Sequence, residues 1–450
     1  MRGLAAAAMI MAAPVAAAVD PAGGAALLRD RAIAGNTAFA IVRDLTTEIG
    51  PRLAASAAEA RARDWVAARM RAAGLARVHI QTFAVPHWER GVETATTIGA
   101  APQRLDLTAL GYSGATPAGG IDAEVVQFAD LDALRAAGSL AGKIVFIDHA
   151  MGATQDGSSY GAVNAVRTAG PAIAGGKGAA AYLHRSLGTG PARLPHTGVT
   201  RFPDGVAPIP AAALSVPDAM QLMRLVARGP VRLHLVLTPR NLGPGTSGNV
   251  VGEVTGTGSD IVLTGGHLDS WDLGTGAIDD GTGIAIVTAA AKRIMAAGRP
   301  LRTIRIVWFG AEEPGLVGAG VYQKAHSADH YFAVAESDEG ADRVWKIDTK
   351  LGADHAAEAE ALFAATAPLG IVKGKTDTAS GSDVEVMLDA GAPGVTLHQD
   401  ATRYFDWHHT PDDTLDKIDP VQLRQNVAAY TAMLAVLSGG ITEPKRPIRR

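Results

Sequence analysis

The chain has 450 residues, 47% hydrophobic and 19% charged, enough to bury a large core and more than one ordinary domain needs. Its net charge of −4, with both signs mixed along the chain, leaves no basic stripe and argues against a nucleic-acid partner. It has no cysteine, which removes disulfides, thiol catalysis and thiolate metal ligands together. In chain order, Arg2, the apolar run Leu4 to Val15 and the Ala16-Ala17-Ala18 site predict a signal peptide over 1–18. The mature protein is then exported, to the periplasm or the medium. No other apolar run is long enough to span a membrane. "AFAIVRDLTTEIGPRLAASAAEARARDWVAARMRAAGL" reads as helical, with apolar residues at three and four and Gly74 as a stop, and "VHIQTFAVPHWERG" as a strand.

The texture changes near residue 118. "GGIDAEVVQFADLDALRAAGSLAGKIVFIDHA" gives strand, helix, strand, and "GAAAYLHR" and "PIPAAALSVPDAMQLMRLVARGPVRLHLVL" continue in that manner. Residues 118–240 are therefore expected to form an inserted, smaller, β-rich unit between a first part at 19–117 and a second at 241–445. "TPRNLGPGTSGNVV" reads as its exit linker. Strands at "DIVLTGGH", "LRTIRIVWFGAEE", "HYFAVAESD" and "PGVTLHQD" then alternate with helices, ending on "PVQLRQNVAAYTAMLAVLSGG". Apolar strands such as Ile304 to Phe309 predict an α/β fold, with a mixed, mostly parallel central sheet and helices on both faces.

Polar residues gather where those strands end. His267 closes one strand, Glu312 and Glu313 follow the next, Asp338 the third, and His408 and His409 lie in a loop beyond the fourth. Ligands bind at that edge of an open α/β sheet. Histidine and carboxylate without sulfur suit zinc, with manganese or cobalt less favoured. The set is too large for one catalytic ion, and suits two ions about 3.5–4 Å apart sharing a carboxylate. One carboxylate must stay free as a base, a division of labour open to Glu312 and Glu313 if the backbone turns between them. Two other patterns are set aside. "GSSYG" around Ser159 matches G-x-S-x-G without a strand before it, and "HSADH" lacks the glutamate of H-E-x-x-H.

"GGHLDSWDLGTGAIDDGTG", "VWFGAEE", "AESDEG", "GSDVEVMLDAGAPGV" and "HHTPDDT" resemble the co-catalytic zinc exopeptidases of the aminopeptidase clan, nearest their carboxypeptidase Q branch. The resemblance spans nearly the whole mature chain and implies a protease-associated domain at 118–240. It implies two zinc ions per chain, one bound by His267 and Asp338, the other by Glu313 and His409, with Asp279 bridging. It makes Glu312 the general base toward a metal-bridging water, Asp269 the group that holds the His267 ring, and Asp279-Asp280 a cis peptide. Many secreted bacterial aminopeptidases of the family have a tyrosine before the last ligand. Here that place is His408, so His408 or Tyr404 is expected to stabilise the oxyanion. The expected substrate is a short peptide or dipeptide with a free amino end. A single-zinc acyl transferase like the glutaminyl cyclases, or a binding protein on the same scaffold, is the alternative; a homodimer is left open.

Overall fold

The computed structural model describes residues 21–444, so the leader expected at 1–18 lies outside the described residues. Its main sheet has eight strands. They run in the order Ala76–Glu89, Arg240–Val254, Thr303–Phe309, Ile261–His267, Tyr331–Glu336, Gly394–Gln399, Val344–Lys350 and Val372–Lys373. The four from Thr303–Phe309 to Gly394–Gln399 are mutually parallel; antiparallel neighbours flank them on both sides.

The apolar runs are two-sided, as alternate residues of a strand must be when both faces are covered. Ile304, Ile306 and Trp308 join one core with helices Thr37–Glu48, Thr282–Ala297 and Pro420–Leu437. Val307 and Phe309 join another with helices Val317–Ala325 and Glu385–Asp389. A mixed sheet with helices on both faces is therefore what the strand composition predicts.

Three local expectations change. The long N-terminal helix is two, Thr37–Glu48 and Ala57–Ala72, because Gly50 takes φ +79 before Pro51 and Ser56 restarts the chain as an N-cap, its hydroxyl accepting from Glu59 N at 3.1 Å. The supposed linker "TPRNLGPGTSGNVV" belongs to the strand Arg240–Val254, held along its length by antiparallel pairing with Ala76–Glu89. Val344–Lys350 is a further strand, which its mixed polar sequence concealed.

A second eight-stranded sheet is built from strands between Glu93 and Leu237. It begins earlier than the change of texture at 118, because Glu93–Thr97 pairs antiparallel with Arg232–Leu237 and Leu107–Ala109 with Ala211–Leu214. Trp271, from the loop after Ile261–His267, is buried in this sheet's core beside Leu105, Leu235 and Trp88. The two units meet where the parallel strands end.

Candidate metal centre

His267 is the last residue of its strand. The loop that follows turns through Gly276 at φ +61 and enters helix Thr282–Ala297 at Gly283, where a Cβ would lie 1.8 Å from the Ser337 carbonyl oxygen. Asp279 and His267 thereby face each other across a distance of 3.1 Å, from Oδ1 to Nε2. The Asp279–Asp280 peptide is cis. Asp338 Oδ1 is 3.4 Å from the same Nε2. On the other side of Asp279, Oδ2 is 3.0 Å from His409 Nε2, which is also 3.1 Å from Glu313 Oε2. Asp279 thus gives one oxygen to each histidine.

Both rings are oriented by main-chain carbonyls, which can only accept. His267 Nδ1 donates to the Asp269 carbonyl at 2.8 Å, and His409 Nδ1 to the Thr197 carbonyl at 3.1 Å. Each ring therefore turns Nε2 toward carboxylate oxygens, an arrangement that calls for a cation, a proton or a metal ion, between them. The titration behaviour agrees. Burial opposes protonation of His409, but Glu313 and Asp279 prevail and lift it to about 9. His267 is likewise raised well above its usual value against burial, by Asp338 and Asp279. Among the described residues, buried Asp279 Oδ2 and Glu313 Oε1 have no hydrogen-bond donor. His267, Asp279 and Asp338 bring ligand atoms within 4.8 Å of one another; so do Asp279, His408 and His409. The donor set is imidazole and carboxylate throughout and fits zinc.

Asp269 holds the His267 ring through its main-chain carbonyl rather than its carboxylate. Its Oδ1 is 3.9 Å from His267 Nδ1, because the ring is satisfied by the Asp269 carbonyl. The carboxylate instead accepts from the amides of Glu312 at 3.0 Å and Glu313 at 3.3 Å. It holds the turn, with Ala311 at φ +55, that separates the two glutamates. Burial pushes Asp269 up to about 6, with His267 opposing. Burial also lifts Glu312 well above the carboxylate range; Glu313 and Asp338 add to this and His267 opposes it.

His408 is buried and stacks on His409, ring centroids 3.5 Å apart, with Nε2 3.6 Å from Asp279 Oδ2. Burial, then His409, hold it well below its usual pKa, so the ring is neutral. Tyr404 packs against it at 5.0 Å, and both line a cavity of about 480 Å³ shared with Glu312, Glu313, Asp338 and His267. Ser159 stands apart, its Oγ donating to the Gly152 carbonyl at 2.5 Å, and the residues before it form no strand. His326 caps the helix Val317–Ala325, 3.0 Å from Asp329.

Further groups support this arrangement. Arg52, fully buried, donates to the carbonyls of Leu268, Thr275 and Gly276 and so pins the His267 loop. Asp413 accepts from Ile278 N at 2.6 Å and Asp279 N at 3.3 Å. Asp280 accepts from His267 N and Gly283 N. Ser382, in the motif "GSD", donates to Asp338 Oδ2 at 2.6 Å. Asp272 forms an ion pair with Arg90, which also reaches Thr197 Oγ1 at 3.1 Å. The second unit contributes directly through Thr197 and through His196, which bonds the His408 carbonyl at 2.7 Å.

The signature of Peptidase family M28 matches residues 249–434. Carboxypeptidase Q of Mus musculus is 34% identical over 88% of this chain and 84% of its own length; that of Homo sapiens is 34% identical over 93% and 88%. Among solved structures, a peptidase M28 precursor from Shewanella amazonensis superposes with a TM-score of 0.90 at 42% identity, covering 96% of this chain and 99% of that one. A zinc aminopeptidase from Bacillus subtilis, TM-score 0.63 at 22% identity over 89% and 94%, shares the fold.

Proposed function

The chain belongs to peptidase family M28, together with the carboxypeptidases Q, and is a metallo-exopeptidase; we propose that it hydrolyses short peptides and dipeptides from a free amino end, using two zinc ions. Asp279 carries this reading, since its two oxygens face the Nε2 atoms of two histidines. His267 and Asp338 would hold one ion, His409 and Glu313 the other, with Asp279 shared. When bound, such a pair supplies an activated water and polarises the scissile carbonyl.

The remaining chemistry falls to side chains. Glu312 lines the cavity beside His267, and its raised affinity for a proton suits a base that takes one from the attacking water and gives it to the leaving amine. Asp269 holds Glu312 and Glu313 apart through their amides. His408 or Tyr404 is the oxyanion donor of this reading; His408 Nδ1 lacks a partner among the described residues. The second unit is a protease-associated domain in this scheme. Export from the cytoplasm belongs to the same proposal, and no helix among the described residues is long and apolar enough to cross a membrane.

The test is metal analysis beside a dipeptide series, free and N-acetylated, with and without chelator. About two zincs per chain and chelator-sensitive cleavage of the free dipeptides alone are expected. One zinc would favour the acyl-transferase alternative, none a binding protein, and equal cleavage of acetylated dipeptides would overturn the amino-end reading. Glu312→Gln should retain zinc and lose roughly 10²–10⁴-fold in kcat; an active variant would remove Glu312 from its role.

A further inference from the structure

The two histidines of the candidate centre are held in different ways. The His267 ring bonds a carbonyl of its own unit, that of Asp269, and Asp338 is met by Ser382 of the same unit. His409 is held across the junction. Its carbonyl accepts from Thr197 N at 3.0 Å, and its Nδ1 donates to the Thr197 carbonyl at 3.1 Å. The His408 carbonyl faces His196 Nδ1 at 2.7 Å. The same stretch of the second unit bonds the Phe405 carbonyl and the Asp406 carboxylate through Thr189. His409 needs this grip, because it stands at φ +62, a left-handed conformation that a residue with a Cβ holds only where its surroundings impose it.

One guanidinium ties that stretch to the loop after His267. Arg90 lies between Glu89, the end of a main-sheet strand, and Glu93, the start of the second unit's first strand. Its Nε and Nη2 donate to Asp272 Oδ1 at 3.0 and 2.8 Å, and Nη2 also reaches Thr197 Oγ1 at 3.1 Å. Its Nη1 donates to Glu93, Thr108 and the Ala109 carbonyl, so the whole fork is engaged. Asp272 follows Trp271, whose ring enters the second unit's core and stands 5.9 Å from the His409 ring. Gly111 leaves room for it, since a Cβ there would lie 2.0 Å from Trp271 Cη2. We propose that Arg90 and Asp272 are positioning residues: they latch the second unit to the metal loop and, through Thr197, keep His409 in place as a ligand. The ion of His409 and Glu313 is then retained only while the second unit is docked, whereas the ion of His267 and Asp338 has no such dependence. The inference rests on the two-zinc reading above. Coupling of this kind is reciprocal, so the same ion helps to hold the two units together.

Zinc-loaded full-length protein and its Asp272→Asn, Arg90→Lys and Thr197→Val variants are dialysed against chelators of rising strength, and zinc per chain is measured. In each variant one of the two dissociation constants should rise roughly 10–100-fold, as for groups that orient a metal-bound histidine, and the other should not change. Thr197→Ser, which keeps the hydroxyl, should match the wild type. In a His409→Ala chain, which keeps the His267 ion alone, adding Asp272→Asn should weaken nothing further. Equal weakening of both ions in the single variants, weakening of neither, or a further loss in the His409→Ala chain would overturn the latch and leave the two-zinc reading standing. Should the variants fail to fold, the wild type decides. Zinc added to metal-free protein should slow hydrogen exchange of the Thr197 amide more than that of amides elsewhere in the second unit, and uniform or absent slowing would overturn the latch. Fewer than two zincs on the wild type would overturn the two-zinc reading, and the latch with it.

Discussion

Asp269 shows how far a single side chain can stand from the role its neighbours suggest. Two residues from His267, its carboxylate holds the Glu312 and Glu313 amides, and its carbonyl holds the ring. Asp269→Asn keeps one acceptor and loses the charge. It should lower kcat about 10–100-fold with the zinc content preserved; a loss of zinc first would show that the metal ligands, not the base, depend on it. Glu59 is a second case. It is fully buried on helix Ala57–Ala72, accepting from Ser247 Oγ at 2.9 Å, and burial raises it to about 7 with Arg63 opposing. Unfolded, it titrates near 4.3. Between those values the folded chain must keep a proton that the unfolded chain gives up, so stability falls as pH rises through the window and is level above it. Glu59→Gln cannot ionise, and should gain on the order of 1–3 kcal/mol on the wild type between pH 4.5 and 7.5. Metal-free urea titrations at the two pH values measure it; a constant difference would place the proton elsewhere. Of the candidate site, His267, Glu312, Glu313, Asp338 and His409 were legible because strand ends can be read from apolar runs, whereas Asp279, twelve residues past a strand end, came only from the resemblance. Asp272 was not legible, since its partner Arg90 is far away in sequence and belongs to no motif.

At the level of elements, the segment from Gly265 to Gly283 is the piece on which the rest depends. Its glycines admit close backbone approach, and its fixed shape comes from Arg52 and Asp413 outside it and from its own Trp271, buried in the second unit's core. A loop rich in glycine reads as flexible from composition alone; Arg52 and Asp413, which immobilise it by donating and accepting hydrogen bonds, sit more than a hundred residues away. Arg52→Ala strands the buried carbonyls of Leu268 and Gly276 and the half-buried one of Thr275. At about 1–3 kcal/mol for each unsatisfied group, the loss should exceed about 3 kcal/mol. Denaturant titration should show it, together with weaker zinc retention on dialysis. A variant as stable as the wild type would mean that the loop holds its own shape. The single long helix expected at the N-terminus failed for a local reason, Gly50-Pro51. The expected linker failed for a distant one, since pairing with Ala76–Glu89 overrides the turn preference of its prolines and glycines.

Across the whole molecule, the candidate metal centre is a junction, with its proposed ligands drawn from the ends of four parallel strands of one unit and His409 oriented by a carbonyl of the other. Its carboxylates and imidazoles are buried at the contact between two hydrophobic cores, so an ion there should stabilise the entire chain, not one loop. A ligand held a thousandfold above its dissociation constant contributes about 4 kcal/mol. That contribution depends on pH in a fixed direction. Without metal, Glu313 and Asp279 lift His409 to about 9, and Asp338 and Asp279 raise His267 well above its usual value, both against burial. Below those values a proton occupies each Nε2 and must leave before an ion can bind. The zinc-dependent part of the stability should therefore be largest near pH 9 and shrink as pH falls, by roughly 1.4 kcal/mol per unit for each proton displaced. Thermal denaturation of zinc-loaded and chelated protein at pH 6 and pH 8.5 reads this directly. A wide gap between the two melting temperatures is expected at the higher pH and a narrow one at the lower. A gap that does not change with pH would mean that the ion displaces no protons, which would take His267 and His409 out of the ligand set.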